Sequence, residues 1–544
     1  MRTISYALIL TVNLMSVSVN LQANASERLL ADNPALHSVS TSATAMTAHS
    51  ANTIVAVLLA RSTNTLNSQL ALKPSIWFSA SGQLSERALG LYAAIELAEK
   101  NRIAVDDLRS QLQGTLTLEQ FEQAHFSVLE QLIKRFSIGQ ISQGIDPLWK
   151  HPAPLFDLQT VRAEILASSS LFTALADRLP KHADYIALLS AYEKLRSLDA
   201  EPPKVVFVDY LKQGDVQPTI AQVRARLSWL GYAATDAVSE LAPNLYDQQL
   251  AQQVRLFQND HGLDQDAVIG PDTLRWLNLA ADERRTIITT VLERWRWLSR
   301  DLGQEYLLVN IPGFEVQYFA ESHPVQRYTS ISGRPTRPTS SFSARIEQLV
   351  VNPDWTVPKR ILLRDLVPKI LSSSDYLEQQ GMQAQRLIAG RWQTVANDSV
   401  NWQALTWSDQ DIRVQQAPSA HNALGQIKFH MPNAHAIYLH DTPSKSLFSD
   451  TSRAFSSGCI RVKGVADLAR TLMHEKSTQL EQSLLQTETQ WIRLPNPVPV
   501  YLVYNRAWVD AKGHLQFRDD IYNADKALSK ALKSMLKNSH LAER

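Results

Sequence analysis

Cysteine is nearly absent from this 544-residue sequence, and Cys459 is the only one. No disulfide can form within the chain, and no N-terminal cysteine is present to carry a lipid anchor. Charge of one sign is lacking too. With 54 Lys and Arg against 53 Asp and Glu, nothing supports nucleic acid or an anionic membrane surface as the main partner. Long apolar runs are missing from the body of the chain: "TIVAVLLA" (53–60) falls far short of the roughly 20 residues that span a bilayer. What remains is an ordinary composition, 44% hydrophobic and 20% charged. The length suits about three domains, each with its own core.

The N-terminus departs from this texture. "MRTISYALILTVNLMSVSVNLQANAS" has one cation, Arg2, then an uncharged and mostly apolar stretch, then the small-residue pattern Ala23-Asn24-Ala25. These are the parts of a secretory signal (1–25) cleaved after Ala25, with an uncleaved anchor as the alternative. Export places the mature chain in an oxidising compartment. A solitary cysteine there is either buried and inert or kept for its chemistry.

Residues 26–73 include a Ser/Thr/Ala-rich stretch without periodicity and are read as a linker. From 74 to 200 the pattern is helical. Ser85 can cap a helix with Ala88, Leu91, Tyr92 and Ile95 on one face, and Thr117 with Gln120 forms a capping box before Phe121, His125, Val128 and Leu132. His125 lies in that apolar stripe and reads as a core histidine. "EPPKVV" (201–206) breaks the pattern. Residues 211–280 predict three short helices, one carrying Ile220, Val223, Leu227 and Leu230, one carrying Leu250, Val254 and Phe257, and one opening at Pro271. From 303 to 505 short alternating segments predict strands, interrupted by a long insertion at about 359–417 of the kind that covers a site. Residues 506–544 form a C-terminal extension, with an amphipathic helix in "DDIYNADKALSKALKSMLK".

Cys459 sits in "AFSSGCIRV" among hydroxyls, a glycine and a guanidinium, surroundings unlike the apolar ones of a structural free cysteine. A thiol nucleophile needs a base, usually histidine. His440 ends the strand-like "AIYLH" and precedes the turn "DTP", and Cys459 follows 19 positions later (459 − 440), far enough for the chain to return to the same sheet rim. Gly458 permits a close approach, and the Cys459 amide can help to hold an oxyanion. Asp441 should point away from His440, since neighbouring strand residues face opposite sides. Arg461 either binds a substrate carboxylate or pairs with a nearby acid.

"NALGQIKF…YLHDTPSKSLFSDTSRAFSSGCIRV" resembles the catalytic signature of the YkuD-type L,D-transpeptidases. "LERWRWL", "VVNPDWTVP" and "DDIYNAD" resemble the large periplasmic members from Gram-negative bacteria. The segment "VRARLSWLGY…VRLFQNDHGLDQDAVIGPDTLRWLN" is similar to the three-helix peptidoglycan-binding module of cell-wall enzymes, with Asp266-Ala267 where that family usually has Asp-Gly. The resemblance implies a multidomain α+β protein: a helical scaffold, a peptidoglycan-binding module and a β-rich L,D-transpeptidase domain with an inserted capping segment. It further implies Cys459 as nucleophile, His440 as general base and acid, and Gly458, Ser457 and Arg461 as oxyanion or substrate contacts. Many relatives carry a second histidine where this chain has Ser457, so His440 acts alone. The implied partners are peptidoglycan stem peptides, a tetrapeptide donor and a diamino-acid acceptor joined in a 3→3 cross-link, in the periplasm, with no metal or organic cofactor. Carbapenems should acylate such a thiol.

Other readings stay open. Water as acceptor would make the site an L,D-carboxypeptidase or a hydrolase that releases wall-attached protein. A non-catalytic wall-binding scaffold is the alternative of another class. His430, His435 and His440 recur every five residues but lack a metal-site motif, and papain-like enzymes place their cysteine before the histidine.

Overall fold

The structure is a computed structural model that describes residues 75–79, 83–113, 116–232 and 242–537. The signal segment 1–25 and the linker 26–73 lie outside the described residues. The chain divides into two units, Met1–Gln83 and Leu84–Arg544, and the second holds all the described helices and sheets.

Six helices open this second unit: α1 (Glu86–Lys100), α2 (Asp106–Gln111), α3 (Leu118–Ile138), α4 (Leu158–Ala167), α5 (Leu171–Ala176) and α6 (Ala183–Arg196). Helices α1 and α3 are capped as their sequences predict. Ser85 accepts from the Ala88 amide, and Thr117 with Gln120 closes a full capping box. His125 is wholly buried, hydrogen-bonded to Tyr92 and stacked on Phe121, and burial lowers its pKa to about 4. It is a core histidine.

Next come α7 (Pro218–Trp229), α8 (Gln248–Asp260) and α9 (Pro271–Leu277), then the longer α10 (Ala281–Trp297). Ile220, Val223, Leu227, Leu250, Val254 and Phe257 are all buried, as their spacing requires. Ala267 takes φ +60°, the left-handed conformation that the usual glycine would adopt without strain.

Helix α10 is an unusual rod, because its charges are inside. Glu293, Arg294 and Arg296 are each at most 1% exposed, so each must be paired. Glu293 accepts from the Gln140 and Ile141 amides (2.6 and 2.7 Å) and binds Arg296 (2.6 Å). Gly139 allows that approach: it sits at φ +85°, and a Cβ there would lie 2.5 Å from the Glu293 carboxylate. Arg294 binds Asp146 on one side (3.0 Å) and Asp525 on the other (2.5 Å). "LERWRWL" is thus the clamp that fastens scaffold to C-terminus. One apolar core runs through α6, the three-helix module, α10 and the C-terminal elements, including Leu188, Val254, Trp276, Val291, Phe517 and Leu528. The module is therefore packed into the rest rather than tethered to it.

The β-rich part contains β1 (Tyr306–Asn310), β2 (Glu315–Ala320), β3 (His323–Gly333), β4 (Ser343–Val351), β9 (Ile427–His430), β10 (Leu439–His440), β11 (Ala454–Ser456), β12 (Ile460–Val462) and β13 (Gln490–Val503). They form one sheet in the order β11-β3-β12-β10-β9-β4-β13-β1-β2. The long β3 pairs with β2 along one part and with β12 further on, so the sheet closes on itself. Inside lie Leu307, Val309, Ile346, Leu349, Ile460 and Leu502, packed with a helix at Val465–Met473.

The insertion between β4 and β9 is a body with its own core. Its sheet has the order β5-β8-β6-β7, from β5 (Trp355–Thr356), β6 (Met382–Ile388), β7 (Arg391–Val395) and β8 (Ile412–Gln416). A continuous helical stretch from Lys359 to Ser372 contains a π-helical turn at Leu362–Leu366. Val357, Leu362, Leu366, Trp402 and Val414 are buried among themselves.

The C-terminal extension is only partly helical. A hairpin, β14 (Ala507–Val509) and β15 (Leu515–Phe517), precedes the helix Asp525–Lys537. That helix starts six residues later than "DDIYNAD" suggests, because the Asp520 carboxylate accepts the Ala524 and Asp525 amides (2.8 and 2.9 Å) and turns the chain there.

Candidate active site

Strand alternation builds the site. Phe429, Leu439 and Ile460 are wholly buried on the core face. In register with them, His440 lies opposite Lys428 on the antiparallel neighbour β9 and opposite Arg461 on the parallel neighbour β12. Lys428, His440 and Arg461 therefore form a row across three strands on the other face. Tyr438 and Cys459 each sit just before these strands, two residues back from His440 and Arg461, where continued alternation puts them on the same face. The parallel pairing of β10 with β12 needs a long crossover, and the residues between His440 and Cys459 supply it. The 19-residue spacing read from the sequence thus returns the chain beside His440.

Cys459 is partly exposed, and its thiol donates to the Ala436 carbonyl at 3.7 Å. Burial of the sulfur raises its pKa and outweighs the hydrogen bonds from Tyr438 and the charges of Lys428 and Arg461, which pull it down. His440 is 5% exposed. Burial first, then Arg461 and Lys428, lower its pKa to about 3, against the pull of the Asp441 and Leu424 backbone. The resting pair is therefore a neutral thiol and a neutral imidazole. His440 Nδ1 makes no hydrogen bond of ordinary geometry among the described residues. Asp441 does not orient the ring: its carboxylate accepts the Gln426 amide (3.0 Å) and pairs with Lys445.

The turn before Cys459 is held firmly. Gly458 has φ +124°, donates its N–H to Ser456 Oγ (3.0 Å), and its carbonyl accepts from Thr339 Oγ1 (2.8 Å). The Gly458 amide is therefore committed within the turn, while the Cys459 amide has no acceptor among the described hydrogen bonds. Ser457 Oγ accepts from Arg337 (3.0 Å). Arg461 forms no ion pair among the described residues, and its Nε is buried without a hydrogen-bond partner. Of its two sequence-level readings, pairing with a nearby acid does not occur here.

Sequence reasoning missed four contributors. Tyr438 lies 5.5 Å, ring to ring, from His440, and its hydroxyl and the Cys459 thiol shift each other's pKa, Tyr438 upwards and Cys459 downwards. The period of two in "AIYLH" could have found it. Lys428 sits 4.3 Å over the Tyr438 ring, but only sheet register places it there. Arg337 comes from a loop that carries no comparable signal, and Trp355, which acts on the Tyr438 hydroxyl, lies in "VVNPDWTVP", a segment singled out in the sequence without a role for this side chain. His430 and His435 go elsewhere, to rings of Trp491 and Phe342.

Residues 304–484 match the YkuD family, described as L,D-transpeptidase catalytic domain. Residues 216–277 match the family described as "Putative peptidoglycan binding domain". A curated Haemophilus influenzae protein named "Putative L,D-transpeptidase" is 32% identical over 228 residues, 41% of this chain and 45% of the relative. The chain thus spans less than half of that relative's length. Among solved structures, an L,D-transpeptidase from Xylanimonas cellulosilytica aligns over 56% of this chain and all of its own, at 14% identity and a TM-score of 0.18. One from Mycobacterium smegmatis aligns over 37% of this chain and 58% of its own, at 12% identity and a TM-score of 0.19. Two segments of the chain thus belong to known domain families: a YkuD L,D-transpeptidase catalytic domain at 304–484 and a putative peptidoglycan binding domain at 216–277.

Proposed function

We propose that this protein is a peptidoglycan L,D-transpeptidase of the periplasm, with Cys459 as nucleophile and His440 as its base. The observation that carries the reading is the single sheet face shared by Tyr438, His440, Cys459 and Arg461, in a domain of the matching family.

The Cys459 sulfur attacks the carbonyl of the third residue of a tetrapeptide stem, and neutral His440 takes the thiol proton as the C–S bond forms. The Cys459 N–H is the donor available to the developing oxyanion. The C–N bond then breaks, and D-alanine leaves with the proton that His440 returns to its amine. A side-chain amine of a second stem attacks the thioester, His440 removes its proton, and the thiol is restored as the 3→3 bond forms. Lys428 and Arg461 form no ion pair among the described residues, which suits a site that receives a substrate carboxylate. No residue of this scheme requires a metal or organic cofactor.

The N-terminal signal pattern supports a periplasmic location, and the module at 216–277 supports attachment to the wall. Incubation with purified disaccharide-tetrapeptides, followed by separation of the products, tests the reading. New 3→3 dimers support it. Tripeptides alone would make the enzyme an L,D-carboxypeptidase, and an unchanged mixture would leave a wall-binding scaffold.

A further inference from the structure

The insertion reaches the catalytic turn through one buried guanidinium. Arg337 lies on the loop between β3 and β4, and its side chain is 8% exposed. Nη1 donates to Ser457 Oγ at 3.0 Å, two residues before Cys459. The same Nη1 also binds Asp365, and Nη2 binds the second Asp365 oxygen at 2.6 Å. Asp365 belongs to the π-helical turn Leu362–Leu366 of the insertion. Such turns interrupt regular helices and recur at functional sites. A two-pronged guanidinium–carboxylate pair fixes orientation as well as distance, which a lysine in the same place could not do.

The rest of the Arg337 loop grips the same turn. The Arg334 amide donates to the Ser456 carbonyl (2.9 Å), and Thr339 Oγ1 donates to the Gly458 carbonyl (2.8 Å) while accepting the Gly333 amide (2.9 Å). Residues 456, 457 and 458 are thus all held by one loop. That loop is held in turn by the insertion, through Asp365 and through Arg360, which donates to the Thr336 carbonyl (3.3 Å). Asp365 itself bonds to neither Cys459 nor His440, so whatever it does for them passes through Arg337.

We propose that Arg337 and Asp365 are positioning residues that couple the seating of the capping insertion to the catalytic turn, so that Cys459 and its amide reach reactive geometry only while the insertion is docked. The proposal rests on the acyl-transfer reading of Cys459. The geometry has two consequences. Loss of the link slows bond formation more than it weakens binding. Changes at Asp365 and Ser457 act through one path, so their effects do not multiply.

The test is acylation of the full chain by the carbapenem meropenem, followed by intact mass at several drug concentrations. The proteins are wild type, Asp365→Asn, Ser457→Ala, Arg337→Lys, and the double variant Asp365→Asn/Ser457→Ala. Asp365→Asn should lower the limiting acylation rate about tenfold while the half-saturating concentration moves less than about threefold. Arg337→Lys keeps the charge but loses the fork and should fall similarly. The double variant should be no slower than the slower single variant. A second cycle, Arg337→Lys with Ser457→Ala, reads the same coupling without altering the insertion and decides the matter if Asp365→Asn unfolds. Wild-type rates in Asp365→Asn, a change confined to half-saturation, or multiplying losses in the double variant would each overturn the coupling while leaving the enzyme reading intact. A wild-type protein that takes up no drug overturns both.

Discussion

Reactivity of Cys459 against pH reads the state of the pair directly. An alkylating reagent such as iodoacetamide reacts with the thiolate, so its rate follows the thiolate fraction. At the ordinary value of 9.0 for this thiol, that fraction at pH 7 is about 1%. Burial of the sulfur pushes the pKa up, a direction that lowers the thiolate fraction further. A thiolate–imidazolium pair would require His440 to bind a proton more tightly than Cys459 does. The order here is the reverse, with the imidazole down at about 3 beside Arg461 and Lys428. Alkylation measured from about pH 5 to about pH 10 should give one ascending limb, gaining about tenfold per pH unit near neutrality, with its midpoint above the free-cysteine value. His440→Ala should leave this profile nearly unchanged, because no ion pair is lost. A plateau of high reactivity across the acidic range, abolished by His440→Ala, would refute the neutral pair.

Further expectations rest on the same geometry. His440→Ala should slow acylation by a carbapenem roughly 10²–10⁴-fold, since it removes the proton acceptor of the transition state; near-normal rates would remove His440 from that role. Arg294→Ala leaves Asp146 and Asp525 buried without their shared cation, and chemical denaturation should show a loss of about 3–5 kcal/mol. Asp525 also sets a pH trend. Burial alone would raise its carboxyl, but Arg294 and Arg506 overturn this and hold it below the ordinary value, so its contribution is present above the unfolded pKa and is lost as pH falls through the folded one. Asp525→Asn should therefore flatten the acid limb of the stability curve. Ala267→Gly relieves a left-handed alanine and should raise stability by up to about 1 kcal/mol in denaturant titrations; a loss would show that its buried methyl matters more.

The one-dimensional parts of this molecule were legible in its sequence. Ser85, Thr117 and Pro271 begin helices because capping is local, and the apolar stripes of α1, α3 and α8 are buried because period alone decides which face turns inward. Cys459 stood out by its neighbours and His440 by its place at a strand end. What stayed hidden depends on which strands pair. Lys428 is 12 residues from His440 in sequence and directly beside it in the sheet, a fact of register alone. Arg337 and Asp365 meet across 28 residues through a loop and an insertion, neither of which has a periodicity to read. The buried charges of α10 also look like a solvated face in sequence, and only their partners, drawn from residues 140, 146 and 525, make them a clamp.

The claim that Cys459 is an acyl-transfer nucleophile is tested most directly by intact mass after exposure to a carbapenem. A β-lactam offers a strained amide carbonyl, and the ring-opened acyl group should remain on the sulfur as a thioester. Because Cys459 is the only cysteine, one drug-sized addition is expected on the wild type and none on a folded Cys459→Ala variant. Rapid labelling of Cys459 by iodoacetamide, with no addition of the carbapenem under the same conditions, would rule out this role: the thiol would then be accessible without an acyl-transfer site around it.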